Sequence, residues 1–348
     1  MVTQTAMTGR ERVRAAMRYE PVDKAPLQYH YGPVGFYEHG EALNTLYERH
    51  TGDFQPFVRC EIPKPPPEDF EADGSYHAFR RDDWGTLWEY RIFGVAGLPV
   101  EYPANNETEM ERYIPPDTAE PDDATLARER AATAAHKERY YALHGGGSLF
   151  ERLKSLCPDE EVLINMALES SAFSGLADRV AFNSRRHVEL AVARGADGIS
   201  FGDDYGAERG MLISPEMWRR FIKPRLKVIF QPAVDAGLNI VFHSCGQIWP
   251  ILEDLREVGA TAVWPQLPAY DMGELAARCR SLKLAVAIHT DRANTMTFGT
   301  PGDVRELVKR EYDAFRMWEG GSWFYVEADN DFPYANLEAL VETIAQWR

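Results

Sequence analysis

Leu238-Asn239-Ile240-Val241-Phe242-His243-Ser244-Cys245-Gly246 is a short, mostly apolar run that ends in an imidazole, a thiol and a glycine. Such a run, breaking straight into polar residues, is how a strand buried on both faces of a parallel sheet reads. The unit recurs on either side. Upstream, Asp197-Gly198-Ile199-Ser200-Phe201-Gly202 exits into Asp203-Asp204. Downstream, Ala262-Val263-Trp264 exits into Pro265-Gln266, Leu284–Ile288 into His289-Thr290-Asp291, and Trp323–Val326 into Glu327-Ala328-Asp329. Helical segments alternate with these strands, over about 176–194, 248–258, 272–280, 301–318 and 336–347, and Gly195, Gly237, Gly259 and Gly320-Gly321 close several of them. Ser214-Pro215-Glu216 opens another, with proline at the first helical position and a carboxylate in the first turn, both favourable there.

Three further runs lie upstream: Glu161–Leu168 ending in Glu169, Leu27–Gly32, and Phe57–Glu61 ahead of the prolines at 63–67. They bring the strand count to eight, and the expected architecture is an α/β (β/α)8 TIM barrel. A doubly wound sheet is the alternative, but no G-x-G-x-x-G follows any strand. Residues 1–348 read as a single barrel domain. Residues 1–25 form an N-terminal helical extension, with a helix at about 9–18. Residues of about 100–150 form an inserted helical cap or lid, because Ala124–Tyr141 is a charged helix and Gly145-Gly146-Gly147 a flexible break. Asp82–Trp88 reads as a side hairpin.

The composition excludes several functions. The net charge of −16 and the absence of a Lys/Arg cluster argue against a nucleic-acid partner. No apolar stretch approaches the ~18 residues that span a bilayer, and Met1–Arg14 has no signal-peptide core, so no membrane association and a cytoplasmic location are expected. The four cysteines Cys60, Cys157, Cys245 and Cys279 form no CxxC pair, which suits a reducing compartment.

The barrel reading gives the polar strand exits a common address, because parallel barrels carry their active sites at the carboxyl ends of the strands. Tyr29, His30, Glu61, Glu169, Asp203, Asp204, His243, Cys245, Gln266, His289, Asp291 and Glu327 all stand at such exits. Loop entries are polar in any case, but Glu, His and Cys are not favoured turn residues, which weights His243, Cys245 and Glu327 toward function. Imidazole nitrogen and thiolate sulfur are ligands that zinc favours, and a catalytic zinc keeps three protein ligands and one open position. Glu327 is the expected third ligand, ahead of Glu169; a loop network of Glu327 with Asp329 and no metal is the competing reading.

Asp203-Asp204-Tyr205-Gly206, Ile213-Ser214-Pro215-Glu216-Met217-Trp218, His243-Ser244-Cys245-Gly246, Gly299-Thr300-Pro301-Gly302-Asp303-Val304 and Pro333-Tyr334-Ala335-Asn336-Leu337 together resemble the uroporphyrinogen decarboxylase superfamily. Glu11-Arg12-Val13, Glu20–Pro26 and Asp83-Trp84-Gly85 resemble further recurring segments of it, so the resemblance covers nearly the whole chain. The superfamily holds metal-free decarboxylases of tetrapyrroles and zinc methyltransferases that serve corrinoid proteins. The arginine-rich N-terminal segment of the decarboxylases has no counterpart here, whereas the methyltransferases' His-x-Cys pair resembles His243 and Cys245. Glu327 stands near where the thiol-methylating members have a second cysteine. A carboxylate there implies a harder, more Lewis-acidic zinc, better suited to polarising oxygen than to activating a thiol.

The resemblance therefore implies a zinc-dependent methyltransferase of a corrinoid (cobalamin) system, with O-demethylation of a methoxylated, possibly aromatic small molecule as the expected reaction and a corrinoid protein as partner. Asp204, Glu169 or His289 would orient the substrate or supply a proton. Tyr29, Tyr205 and Gln266 are the expected substrate contacts, with Tyr31, Trp84, Trp264 and Phe324 adding aromatic surface that core packing would equally explain. Homodimers are common in the family. Methyl transfer from a corrinoid protein to a thiol or tetrahydrofolate, metal-free decarboxylation, and a binding scaffold without chemistry are the alternatives.

Overall fold

Seven parallel strands curl into one sheet in the computed structural model, which describes residues 6–348. They are β1 (Leu27–Tyr29), β2 (Leu143–Gly147), β3 (Gly198–Gly202), β4 (Asn239–Ser244), β5 (Ala262–Pro265), β6 (Ala285–His289) and β7 (Ser322–Val326), hydrogen-bonded in the order β1-β7-β6-β5-β4-β3-β2. Helices cover the outside, and the fold is a TIM-type barrel. An irregular segment fills the eighth place, between β1 and β2. There the Asp53 amide donates to the Leu27 carbonyl (2.8 Å), and the Tyr141 amide donates to the Asp53 carbonyl (3.0 Å).

Three expected elements differ. Phe57–Glu61 is not a strand: the Asn44 side chain takes both the amide and the carbonyl of Cys60 (2.9 Å each), doing what a neighbouring strand would otherwise do. Glu161–Leu168 belongs to a helix, Asp159–Leu168, preceded by Pro158 and carrying Asp159, Glu160 and Glu161 in its first turn. Those charges favour the positive end of the helix dipole, and Val162 and Met166, four apart, bury one face. Conversely, Gly145–Gly147 is no flexible break but part of β2, in register with β3 from Leu143↔Gly198 onward. Glycine is needed because β2 passes close to its neighbour. A Cβ on Gly146 would stand 3.2 Å from both the Ile199 side chain and the Ser200 carbonyl oxygen.

The last part of the expected cap, Leu143–Gly147, is therefore barrel wall. Helix Asp123–His136 lies against it, with Arg130 Nε donating to the Ala193 carbonyl (2.8 Å) and His136 Nε2 beside the Phe54 carbonyl (2.9 Å). The side hairpin extends to an antiparallel meander of Ala78–Arg81, Leu87–Tyr90 and Leu98–Glu101.

Strand alternation sorts the side chains. Leu27, Tyr29, Ile199, Phe201, Ile240, Phe242, Phe324 and Val326 pack outward against the helices. Val241, Ala262, Ala285, Ala287, Trp323 and Tyr325 fill the interior with Phe54 and Tyr141, alanines making room for the indole and phenol rings. The interior is stoppered at its amino end by helix Gly9–Met17, whose Val13 and Met17 join that inner cluster. Thr8 and Glu11 form a capping box at its start. Buried Arg12 pairs with Asp23 and Asp53, Asp53 also binds Arg348 (2.6 Å), and Arg10 binds Asp197 (2.9 Å). Truncating Met17 to alanine would cost about 2–5 kcal/mol, the usual range for emptying such a site.

Candidate metal centre

The same alternation decides which strand-exit residues face the mouth of the barrel. Continuing the inward parity of Val241 brings His243 and then Cys245 to the rim; Ser200 and Gly202 lead to Asp204; Ala285 and Ala287 lead to His289; Trp323 and Tyr325 lead to Glu327. Gly202 is in register with His243, and His243 with Trp264, so the two polar exits of β3 and β4 are neighbours.

His243, Cys245 and Asp204 each present one donor atom, and these atoms lie within 4.8 Å of one another. His243 Nε2 is 3.5 Å from Cys245 Sγ and 3.4 Å from Asp204 Oδ1. Asp204 Oδ1 also accepts the Cys245 amide (2.7 Å), which ties the carboxylate to the thiol-bearing loop. The His243 Nδ1–H donates to the Trp264 carbonyl (2.9 Å), so the proton sits on Nδ1 and the Nε2 lone pair points into the cluster. Burial lowers the His243 pKa and keeps the ring neutral. Burial, and next the nearby Asp204 charge, push the Cys245 thiol up to about 12. A divalent cation reverses that penalty, because it takes the thiolate as ligand. The donor set of nitrogen, sulfur and oxygen, with a locked tautomer, fits zinc.

Glu327, the carboxylate expected as third ligand, lies outside this donor set. It lines the same pocket but stands 3.6 Å from His30 Nε2. Burial raises its pKa, with His30 opposing. The pocket, about 220 Å³, is lined by His243, Cys245, Trp264, His289, Arg292 and Glu327 among others. Two of the lining rings, Trp264 and His289, pack against Tyr325. The ring of Trp264 lies 4.2 Å from His243 and 4.1 Å from Tyr325, and Tyr325 lies 5.1 Å from His289.

The remaining expected residues separate. His289 lines the pocket, but burial drops its pKa to about 3, so it is neutral and no proton source at physiological pH. Gln266 lines it too, and its Oε1 accepts the Gly246 amide (2.8 Å) to hold the ligand loop. Tyr29 and Tyr205 do not reach the pocket, because their parity turns them outward: Tyr29 stacks on Tyr47 (4.1 Å), and buried Tyr205 donates to Asp203 (2.7 Å). Asp203 is likewise structural, accepting the amides of Leu149 and Glu151 at the start of helix Phe150–Leu156. Glu169 follows a helix, not a strand, and its exposed carboxylate pairs with Arg220 (2.8 Å). Arg292, which also lines the pocket, is marked in the sequence only by its place just past the end of β6.

The uroporphyrinogen decarboxylase (URO-D) family model matches residues 140–321, more than half of the chain and all the strands that carry the cluster. The chain belongs to the uroporphyrinogen decarboxylase family. Uroporphyrinogen decarboxylases from two Thermus thermophilus strains are 31% and 30% identical over 121 residues. That match spans 34% of this chain and 31% of each relative, so it covers under a third of the curated proteins. Among solved structures, a methyltransferase from Methanosarcina mazei shares the fold over 98% of this chain and 99% of its own, with a TM-score of 0.66 and 16% identity. Among the described residues, no helix is long and apolar enough to cross a membrane.

Proposed function

We propose that this member of the family is a zinc-dependent methyltransferase working with a corrinoid protein, and that it removes the methyl group of a methoxylated small molecule. The observation that carries the reading is the Asp204, His243 and Cys245 donor cluster, with the His243 tautomer locked by Trp264, two of whose members, His243 and Cys245, line a pocket one substituted ring in size. Asp204 takes the ligand role first assigned to Glu327 and keeps the set at one carboxylate. Bound there, zinc would supply Lewis acidity toward oxygen, which a carboxylate-containing set favours over a thiol-rich one.

The chain's own residues do the rest. His243 and Cys245 hold the reacting end of the pocket in place through the Trp264 and Asp204 bonds. The rings of Trp264 and His289, packed on Tyr325, offer an apolar face to an aryl or other apolar group. Glu327, a pocket-lining carboxyl whose pKa burial raises against the opposing His30, is the group we assign to give a proton to the departing oxygen. Support for a protein partner comes from exposed apolar side chains on segments that leave the carboxyl ends of the strands: Leu163, Ile164 and Leu168 after β2, Leu212 after β3, and Phe298 after β6. These lie on the face of the barrel that carries the pocket.

Metal analysis of the purified protein, paired with demethylation of methoxylated aromatics in the presence of a reduced corrinoid, tests the reading. Stoichiometric zinc that Cys245→Ala abolishes, along with methyl transfer, is expected. A folded, metal-free Cys245→Ala with unchanged activity would sink it. The curated Thermus relatives favour a second reading, decarboxylation of a tetrapyrrole. The net charge of −16 weighs against binding so polyanionic a substrate, and release of carbon dioxide from uroporphyrinogen is the assay that decides for it.

A further inference from the structure

We infer that Arg292 selects substrates that carry a carboxylate on the ring, so that the methyl donor is a methoxylated aromatic acid. This rests on the O-demethylase reading of the same pocket. Arg292 is the one lysine or arginine among the described residues that line it. Its backbone is fixed on a built turn. Asp291 Oδ1 accepts the amides of Ala293 and Asn294 (3.1 Å each), and Thr297 Oγ1 donates to the Arg292 carbonyl (2.8 Å).

The side chain is half-exposed at the pocket. Its one side-chain partner among the described residues is Asp329, met through Nη1 alone at 3.2 Å. The other guanidinium donors stay free, in the planar fork that matches a carboxylate with two parallel bonds. A molecule lying along the Trp264 and His289 rings thus meets a pocket whose lining holds both His243 and Cys245 of the donor cluster and Arg292. A flat ring with an oxygen substituent and a carboxylate satisfies both, while a neutral ring leaves the guanidinium donors that Asp329 does not meet without an anionic acceptor.

Calorimetric binding of 3-methoxybenzoate and of its neutral counterpart 3-methoxybenzyl alcohol to the purified protein tests this. The wild type is expected to bind the acid about tenfold or more tightly than the alcohol, the scale of a charge-assisted bidentate pair. Arg292→Gln should bring the two within about twofold by weakening the acid alone, and Arg292→Lys should recover part of the difference. Equal binding by the wild type, binding of neither compound, or an unchanged preference in a folded Arg292→Gln would each overturn the inference. An acid preference kept by Cys245→Ala once its zinc is lost would show that the guanidinium and not the metal sets it, whereas a wild type that holds no zinc yet keeps the preference would remove the metal reading and leave Arg292 in its role.

Discussion

At the scale of single residues, the three donors of the cluster are unequal in what their loss leaves behind. His243→Ala removes the only imidazole and breaks the link to Trp264, so zinc content is expected to fall to background. Asp204→Asn keeps an oxygen but loses the charge and the anionic acceptor of the Cys245 amide, and zinc affinity should drop by at least the ~10–100-fold typical of disturbing even an outer-shell partner. Glu327→Gln should leave zinc in place while slowing turnover, because that carboxyl faces His30 and not the donor atoms. Chelator competition on the three variants checks all of this; equal zinc loss in Asp204→Asn and Glu327→Gln would restore Glu327 as a ligand. His243 and Cys245 were legible in the sequence because their residue types are uncommon at a strand exit. Asp204 was legible only as one carboxylate among many. What singles it out is inward parity shared with Ser200 and Gly202, and the same rule, applied to Leu27 and Ile199, would have turned Tyr29 and Tyr205 away from the site.

At the scale of elements, the ligand loop after β4 depends on a backbone crossing. Gly246 has φ +68°, and a Cβ there would stand 2.1 Å from the Gly206 carbonyl carbon, while one on Gly206 would stand 2.4 Å from the Gln247 amide nitrogen. The loops leaving β3 and β4 therefore lie backbone on backbone, which is what brings Asp204 to Cys245. Gly246→Ala must push them apart, and we expect a fall in melting temperature of several degrees together with weakened zinc binding, read by calorimetry and metal titration. Wild-type zinc affinity in that variant would show that the crossing does not set the site. Elements whose apolar runs had only one reading, β3 to β7, were legible. Those that failed had competing local signals: the acidic first turn after Pro158 marks a helix, three glycines conceal β2, and the Asn44 amide replaces a strand neighbour for Cys60. None of these is a matter of periodicity, so counting apolar positions could not find them.

At the scale of the whole molecule, stability should depend on pH through a buried carboxyl just behind the rim. Glu311, in helix Pro301–Ala314, is fully buried, and its Oε2 accepts the Thr290 hydroxyl (2.8 Å) just behind the end of β6. Burial raises its pKa from 4.5 to about 8, with the Thr290 bond opposing. A raised folded-state value means that the native protein binds the proton more tightly than the unfolded chain. The stabilising contribution is then complete below about pH 4.5 and is lost as pH rises through about 8. Asp23 and Asp197 act oppositely: Arg12 and Arg10 hold their pKa values below the usual range, and their contribution is lost as pH falls. Resistance to heat or urea is therefore expected to decline from acidic toward alkaline pH across that window. Glu311→Gln, neutral at every pH and able to keep an oxygen toward Thr290, should flatten the decline, so that the variant gains on the wild type from about pH 5 up to about 8 and the difference levels off above that. Parallel urea titrations of the two proteins at several pH values measure that difference, and a constant gap across the range would mean that Glu311 is not the group responsible.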